Sequence, residues 1–532
     1  MMHSRIRQTA FVGATLLVVL AVCVAPLAVL VRRALREDGG MGLRIFAEAF
    51  LEQRQWTLLG NSLLIGLGTV AVALVLGAGA ALALQYCPRI LREILGLLLC
   101  LPLLIPAYVF AIAWLDAVTY IGLLPREFTP ETLIPPYLGI PGVIVVSALA
   151  YYPIVLICTW SALRRFDRRK IESARLIADP LQTFFAIRAP LCAPWVFTGV
   201  ALVFLLTLTG YAVPALFQVN VYSVEIFSGL SVYNKVSRTL AHALPLVLAG
   251  GIVLWLWRGW ARPRQRWLIP PDDPVGRMPV GWKRAALAVG FCTAITGMAL
   301  AAPLLFLALR TGSLAELETA WTAARPAVAA SLVLASVSAT FVMALAFAMA
   351  YITHSWPRPS KVFHISFVPF LVTGPLFGTG VIALWNYVRL GQFAFGALFA
   401  IAMACAAKYL YFAYQAERMA LQALPPGPLD AAAVYDVSWL RRGKSVAAPM
   451  TASVLAVVWG MAFVVSMREL DAAILTAPDV TPLAVRIHTL AHGGPGPLLA
   501  ATCLVLVGLL VAAGCATAVM YVVCRRVFHA YH

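Results

Sequence analysis

Two segments carry residues whose types and spacing point to a task. The first reads Glu172-Ser173-Ala174-Arg175-Leu176-Ile177-Ala178-Asp179-Pro180 and reaches Pro190. The second reads Asp430-Ala431-Ala432-Ala433-Val434-Tyr435-Asp436-Val437-Ser438-Trp439 and reaches Pro449. In each, an acidic residue precedes small ones, and a proline follows 18 or 19 positions later. An acidic residue at a helix start suits the macrodipole, and Pro428 is a helix-start signal two positions before Asp430. Alanines favour the helix and leave a flank narrow enough for close approach. The pattern predicts a short surface helix able to seat in a groove of a partner. One copy would be read as an ordinary solvated helix; two copies in matching loops speak for a partner.

Other chemistry-bearing residues are sparse. Arg468, Glu469 and Asp471 sit in an apolar run, where charge is costly and faces a cavity or a partner. They are expected in the outer part of a translocation path, with Tyr211 in the uncharged matching string Leu208-Thr209-Gly210-Tyr211. The alternative is an internal ion pair, or a span that ends before them. Lys408 reads as a snorkelling residue, roughly 15 Å from the level of Arg468 at ~1.5 Å per residue, which argues against pairing with Glu469. Gly443-Lys444-Ser445 is a decoy: a phosphate loop needs Gly five residues earlier, where Ser438 stands. The eight histidines are scattered and the ten cysteines have no zinc spacing, so neither a metal nor a cofactor is expected.

The elements that must position these residues follow from composition. Of 532 residues, 62% are hydrophobic and 12% charged, against roughly 45–50% and about 25% in soluble chains. Lipid must be the solvent for most of the apolar surface. Twelve segments are long enough to cross it, near 9–31, 60–85, 94–115, 137–162, 195–219, 240–258, 284–309, 328–353, 362–386, 393–415, 451–476 and 498–524. A basic, Pro-rich linker, 258–284, separates a first half (1–257) from a second (285–532). The net charge of +18 is explained by loops facing the cytoplasm rather than by nucleic acid: with the N-terminus inside, inner segments hold 26 Lys/Arg and outer ones 12. Both termini are then cytoplasmic.

The halves repeat one plan. Each has its longest inner loop between its fourth and fifth spans, at 163–194 and 416–450. Asn61-Ser62 and Ala330-Ser331 stand at matching places in the second spans. Pro102 and Pro106 kink the third span, and Pro369 and Pro375 its counterpart. The expected fold is therefore an all-α polytopic membrane protein of about 12 transmembrane helices in two six-helix repeats, with a pathway between them.

The duplicated loop resembles the E-A-A loop of permeases from binding-protein-dependent ABC importers. The fused form, Leu103-Leu104-Ile105-Pro106-Ala107-Tyr108 and Met467-Arg468-Glu469-Leu470-Asp471 resemble the ferric-iron type. The resemblance runs from about Asn61 to the twelfth span. It implies coupling helices, built on Glu172, Ser173, Ala174, Asp179 and Pro180 and on Asp430, Ala431, Ala432 and Asp436, that dock on a cytoplasmic ABC ATPase dimer. It also implies a substrate-binding protein on the outer face, a bacterial cytoplasmic (inner) membrane location, no hydrolysis by this chain, and ferric iron as the solute. Phosphonate, sulfate and thiamine are the other solutes considered. The family expects a Gly four residues after the last Ala. Loop one is a residue short there, and loop two has Asp436, which tolerates a left-handed turn better than most residues. The rival reading, a six-plus-six secondary transporter driven by an ion gradient, expects a G-x-x-x-D-R-like string in 86–93, which the sequence lacks. A membrane enzyme expects His or Asp clusters at a span end.

Overall fold

Long apolar runs with their backbone polar groups satisfied internally become helices in lipid. The computed structural model describes residues 2–37, 52–120, 138–165, 179, 182, 184–231, 236–261, 281–356, 359–388, 396–475 and 481–529. No strand occurs among them. They contain nine helices long and apolar enough to cross a membrane, or up to twelve when each of three bent pairs counts as one span. The protein is an all-α, multi-pass membrane protein.

In the first half, α1 (Met2–Cys23) and α2 (Ala25–Glu37) form the first span, and α3 (Gln53–Leu84) the second. The third is broken, with α4 (Arg89–Cys100) and a 3-10 turn on one side and α5 (Ala107–Tyr120) on the other, meeting at 96°. Then come α6 (Gly139–Leu163), α7 (Ala189–Thr209), the short α8 (Ala212–Leu216) and α9 (Tyr222–Ser231), and α10 (Val236–Leu256). The second half opens with α11 (Trp282–Thr296) and α12 (Ala302–Thr311), then α13 (Leu314–Ser355). Its broken span bends by 112° before α14 (Gly374–Tyr387). After α15 (Gly396–Gln422) come α16 (Gly427–Val434) and α17 (Trp439–Arg442), then α18 (Ala452–Met467), α19 (Leu483–Ala491) and α20 (Gly496–His529). The breaks fall at Pro106 and at Gly374-Pro375, in the two spans where prolines predict kinks.

The same packing recurs in each half. Helices α3, α6 and α7 pack on one another, as do α13, α15 and α18. Ser62 and Ser331, the matching serines of the second spans, make matching bonds. Ser62 Oγ accepts from the Tyr222 amide at 3.1 Å, and Ser331 Oγ from the Leu483 amide at 2.7 Å. Each caps an orphan N–H at the start of the short helix that follows the fifth span.

The first spans exchange partners. Helix α2 packs on α14 and α1 touches α15, all in the opposite half. Reciprocally, α11 packs on α3 and α4, and α12 on α5. Arg32 of α2 reaches the Tyr387 hydroxyl of α14 at 3.4 Å, and Arg310 of α12 lies 3.8 Å from Asp116 of α5. The helices before and after the expected linker are thus interlocked in space.

Candidate functional site

Helix α18 stops at Met467 after 16 residues, about 24 Å of rise, short of a full crossing. The chain then turns through Arg468–Leu475 within the protein interior. In the first half α7 stops at Thr209, where Gly210 turns extended. Non-helical backbone at this depth is tolerated where it is buried or lines a cavity, and here it does both. The two breaks face each other across a cavity of about 90 Å³, whose walls include Tyr108, Tyr151, Gly210, Lys408, Arg468, Glu469 and Asp471.

The charges are specifically satisfied. Lys408 Nζ lies 2.8 Å from Glu469 Oε1, and the Tyr409 hydroxyl donates to the other oxygen of Glu469. Arg468 donates to the Leu103 carbonyl at the bend of the first half's broken span. That bend leaves helix-terminal carbonyls without their usual partners, and a guanidinium from the other half supplies one. Gly374 and Gly378 let α14 close on the segment; a Cβ at Gly378 would stand 2.5 Å from the Ala472 carbonyl.

The expectation that Lys408 and Glu469 stay apart is overturned by this pair. A continuous eleventh helix to 476 and a tenth span ending at 415 would hold the two apart. In fact α15 runs on to Gln422, which places Lys408 mid-helix, and α18 ends early enough to bring Glu469 to the same depth. A lysine at mid-span is costly unless paired; that cost was the available signal. Tyr211, grouped with these charges by sequence, is not among the residues lining the cavity; its hydroxyl meets His488 Nε2 of α19 at 2.8 Å. His488 stacks near His492, ring centroids 4.2 Å apart. Burial, and secondarily His492, holds the His488 imidazole down at about 4. On the same face of the first half, burial raises the Glu52 carboxyl, but hydrogen bonding and charge from Arg238 outweigh it and hold the pKa below the ordinary value.

Of the first predicted coupling loop, Glu172, Ser173, Ala174 and Pro180 lie outside the described residues, and Asp179 is exposed. The second is visible. Asp430 stands in the first turn of α16, a helix with no buried residue. Ala431 is exposed, Ala432 half-buried, and Val434 and Tyr435 are 84% and 83% exposed. Asp436 ends the helix at φ +52°, in the left-handed region. That is the turn for which a Gly is expected at this place, and Asp adopts it.

Two anchors escaped the sequence reading. Trp439, just past the turn, is buried; its carbonyl accepts from the Tyr351 hydroxyl at 2.9 Å and its indole N–H donates to Ser355 Oγ at 2.8 Å. Gly443 sits so close that a Cβ would stand 2.7 Å from the Tyr351 ring. In the first half, Arg188 donates to Gln85 at 2.6 Å. In both halves the chain leaving the long loop is thereby fastened to the end of the second span, α13 or α3. The buried Trp was a signal in the sequence; Arg188 offered none.

Residues 73–266 match the family described as binding-protein-dependent transport system inner membrane component. PhnU of Salmonella choleraesuis strain SC-B67, whose name assigns it provisionally to a 2-aminoethylphosphonate transport system as permease, is 27% identical over 198 residues. That stretch is 35% of this chain and 68% of the relative. PhnU of Salmonella typhimurium strain LT2 matches to the same extent. The resemblance to binding-protein-dependent ABC permeases read from the sequence therefore holds.

Proposed function

We propose, from the premise that this chain is a binding-protein-dependent ABC permease, that it is a two-half membrane subunit of an ATP-driven importer in a bacterial cytoplasmic membrane. Its halves are 1–257 and 285–532, joined by the linker 258–284, with both termini cytoplasmic. The loops 163–194 and 416–450 face an ABC ATPase dimer. Glu172, Ser173, Ala174, Asp179 and Pro180 form one docking segment, and Asp430, Ala431, Ala432 and Asp436 the other. A loaded binding protein docks on the opposite face. ATP-driven closure of the ATPases pulls the two segments, the halves rock, and access alternates. Tyr211, Arg468, Glu469 and Asp471 line the route.

The observation that carries this reading is α16: an exposed helix with an acidic first turn, closed by a left-handed Asp436, and fastened through Trp439 to a membrane-crossing helix. A bare solvated helix has no need of that fastening. For the solute, the fused form favours ferric iron, and the PhnU relatives favour an aminophosphonate. Co-purification tests the core of the proposal. The full chain should bring down an ATPase subunit, and an Ala432→Cys variant should cross-link to it. Recovery of the chain with no ATPase from gently solubilised membranes would refute it.

A further inference from the structure

We propose that the cavity between the C-terminal ends of the two fifth spans is a solute subsite selective for a small zwitterion, carrying an oxyanion and an ammonium group on one short chain. The inference rests on the permease reading and names the solute class for that same route. Lys408 and Glu469 neutralise each other. Arg468 is held by a carbonyl, not by a carboxylate, so its positive charge stays uncompensated. Asp471, on the same wall, accepts the Tyr211 backbone N–H but makes no ion pair among the described residues. The cavity thus offers one uncancelled charge of each sign, three positions apart in sequence. Helix α5 begins at this cavity and adds the positive end of its dipole beside Arg468. Tyr108, on the first turn of α5 and 5% exposed, has a buried hydroxyl with no partner.

Each simpler solute leaves something unmet. A plain anion pairs with Arg468 but meets Asp471; a bare cation pairs with Asp471 but meets Arg468. A neutral solute desolvates both charges and pairs neither, and unpaired buried polar groups reject such a ligand strongly. A zwitterion answers both at once. The cavity of about 90 Å³ holds a few waters or a solute of similar size, which favours a short chain between the two groups.

The test is calorimetric binding to the full chain in nanodiscs, with 2-aminoethylphosphonate, ethylphosphonate and ethylamine as probes. The zwitterion should bind at least about tenfold more tightly than either half-molecule, the discrimination of one charged contact. Asp471→Asn should abolish the advantage over ethylphosphonate while leaving ethylphosphonate binding in place; Asp471→Glu should restore it, which separates charge from folding. Arg468→Gln should weaken both phosphonates. Equal binding of 2-aminoethylphosphonate and ethylphosphonate, absence of binding by all three, or an Asp471→Asn variant with its preference intact would overturn the inference. ATPase association is measured on the same preparations. If the ATPase binds and the zwitterion preference is absent, this inference fails alone; if the ATPase does not bind, the permease reading fails with it.

Discussion

At the scale of single residues, the cost of buried charge governs. Lys408 and Glu469 are each nearly excluded from solvent and bonded to each other. Removing one partner leaves an uncompensated charge, and we expect Lys408→Met or Glu469→Gln to destabilise by about 3–5 kcal/mol, with the Lys408→Met/Glu469→Met double variant recovering much of that. Thermal unfolding in detergent measures it; additive losses would contradict the account. His488 gives a pH signature. Its pKa lies near 4 in the folded chain against an ordinary 6.5. The unfolded chain therefore takes up the proton first as pH falls, and stability drops between about pH 6.5 and 4. Replacing His488 by Gln should flatten the unfolding midpoint across that window. An unchanged slope would mean that another group titrates there.

At the scale of elements, much was legible in the sequence, and the rest was not for definite reasons. Apolar runs of sufficient length identified every span, and the prolines at 102, 106, 369 and 375 marked the two spans that bend, because proline removes the donor a helix needs. Ser62 and Ser331 are legible in the sequence as a repeat, but their bonds to the Tyr222 and Leu483 amides are not. The break after Met467 was not legible, since nothing but the charges themselves distinguishes 468–475 from the end of a helix. Depth in the membrane depends on where neighbouring helices stop, which spacing does not record. The capping serines should matter equally: Ser62→Ala and Ser331→Ala are each expected to cost about 1 kcal/mol, read from unfolding midpoints. On the proposed coupling reading, Trp439 carries force as well as stability, through its bonds to Tyr351 and Ser355. Trp439→Ala should keep ATPase association yet cut ATP-dependent uptake at least several-fold. Uptake at the wild-type rate would show that α16 is not linked to α13 through this side chain.

At the scale of the whole molecule, the exchanged first spans make the two repeats one object. Helix α2 lies on α14, and α12 on α5, with Arg32 and Arg310 in corresponding roles. The interlock was invisible in the sequence because amphipathic patterning reports how much of a helix is covered, not which repeat covers it. It predicts that 1–257 and 285–532, produced separately, aggregate, and that the two produced together assemble into a complex of the full chain's size, checked by size-exclusion chromatography. Stable, monodisperse single halves would contradict it. If the halves rock as proposed, the anchors at Arg188 and Trp439 lie where a pull from the loop side would enter. The most direct measurement is solute accumulation in proteoliposomes containing the full chain, its binding protein and its ATPase. The account predicts accumulation that needs ATP and all three components and is abolished when the ATPase is omitted. Accumulation by the chain alone, driven by an ion gradient, would contradict it.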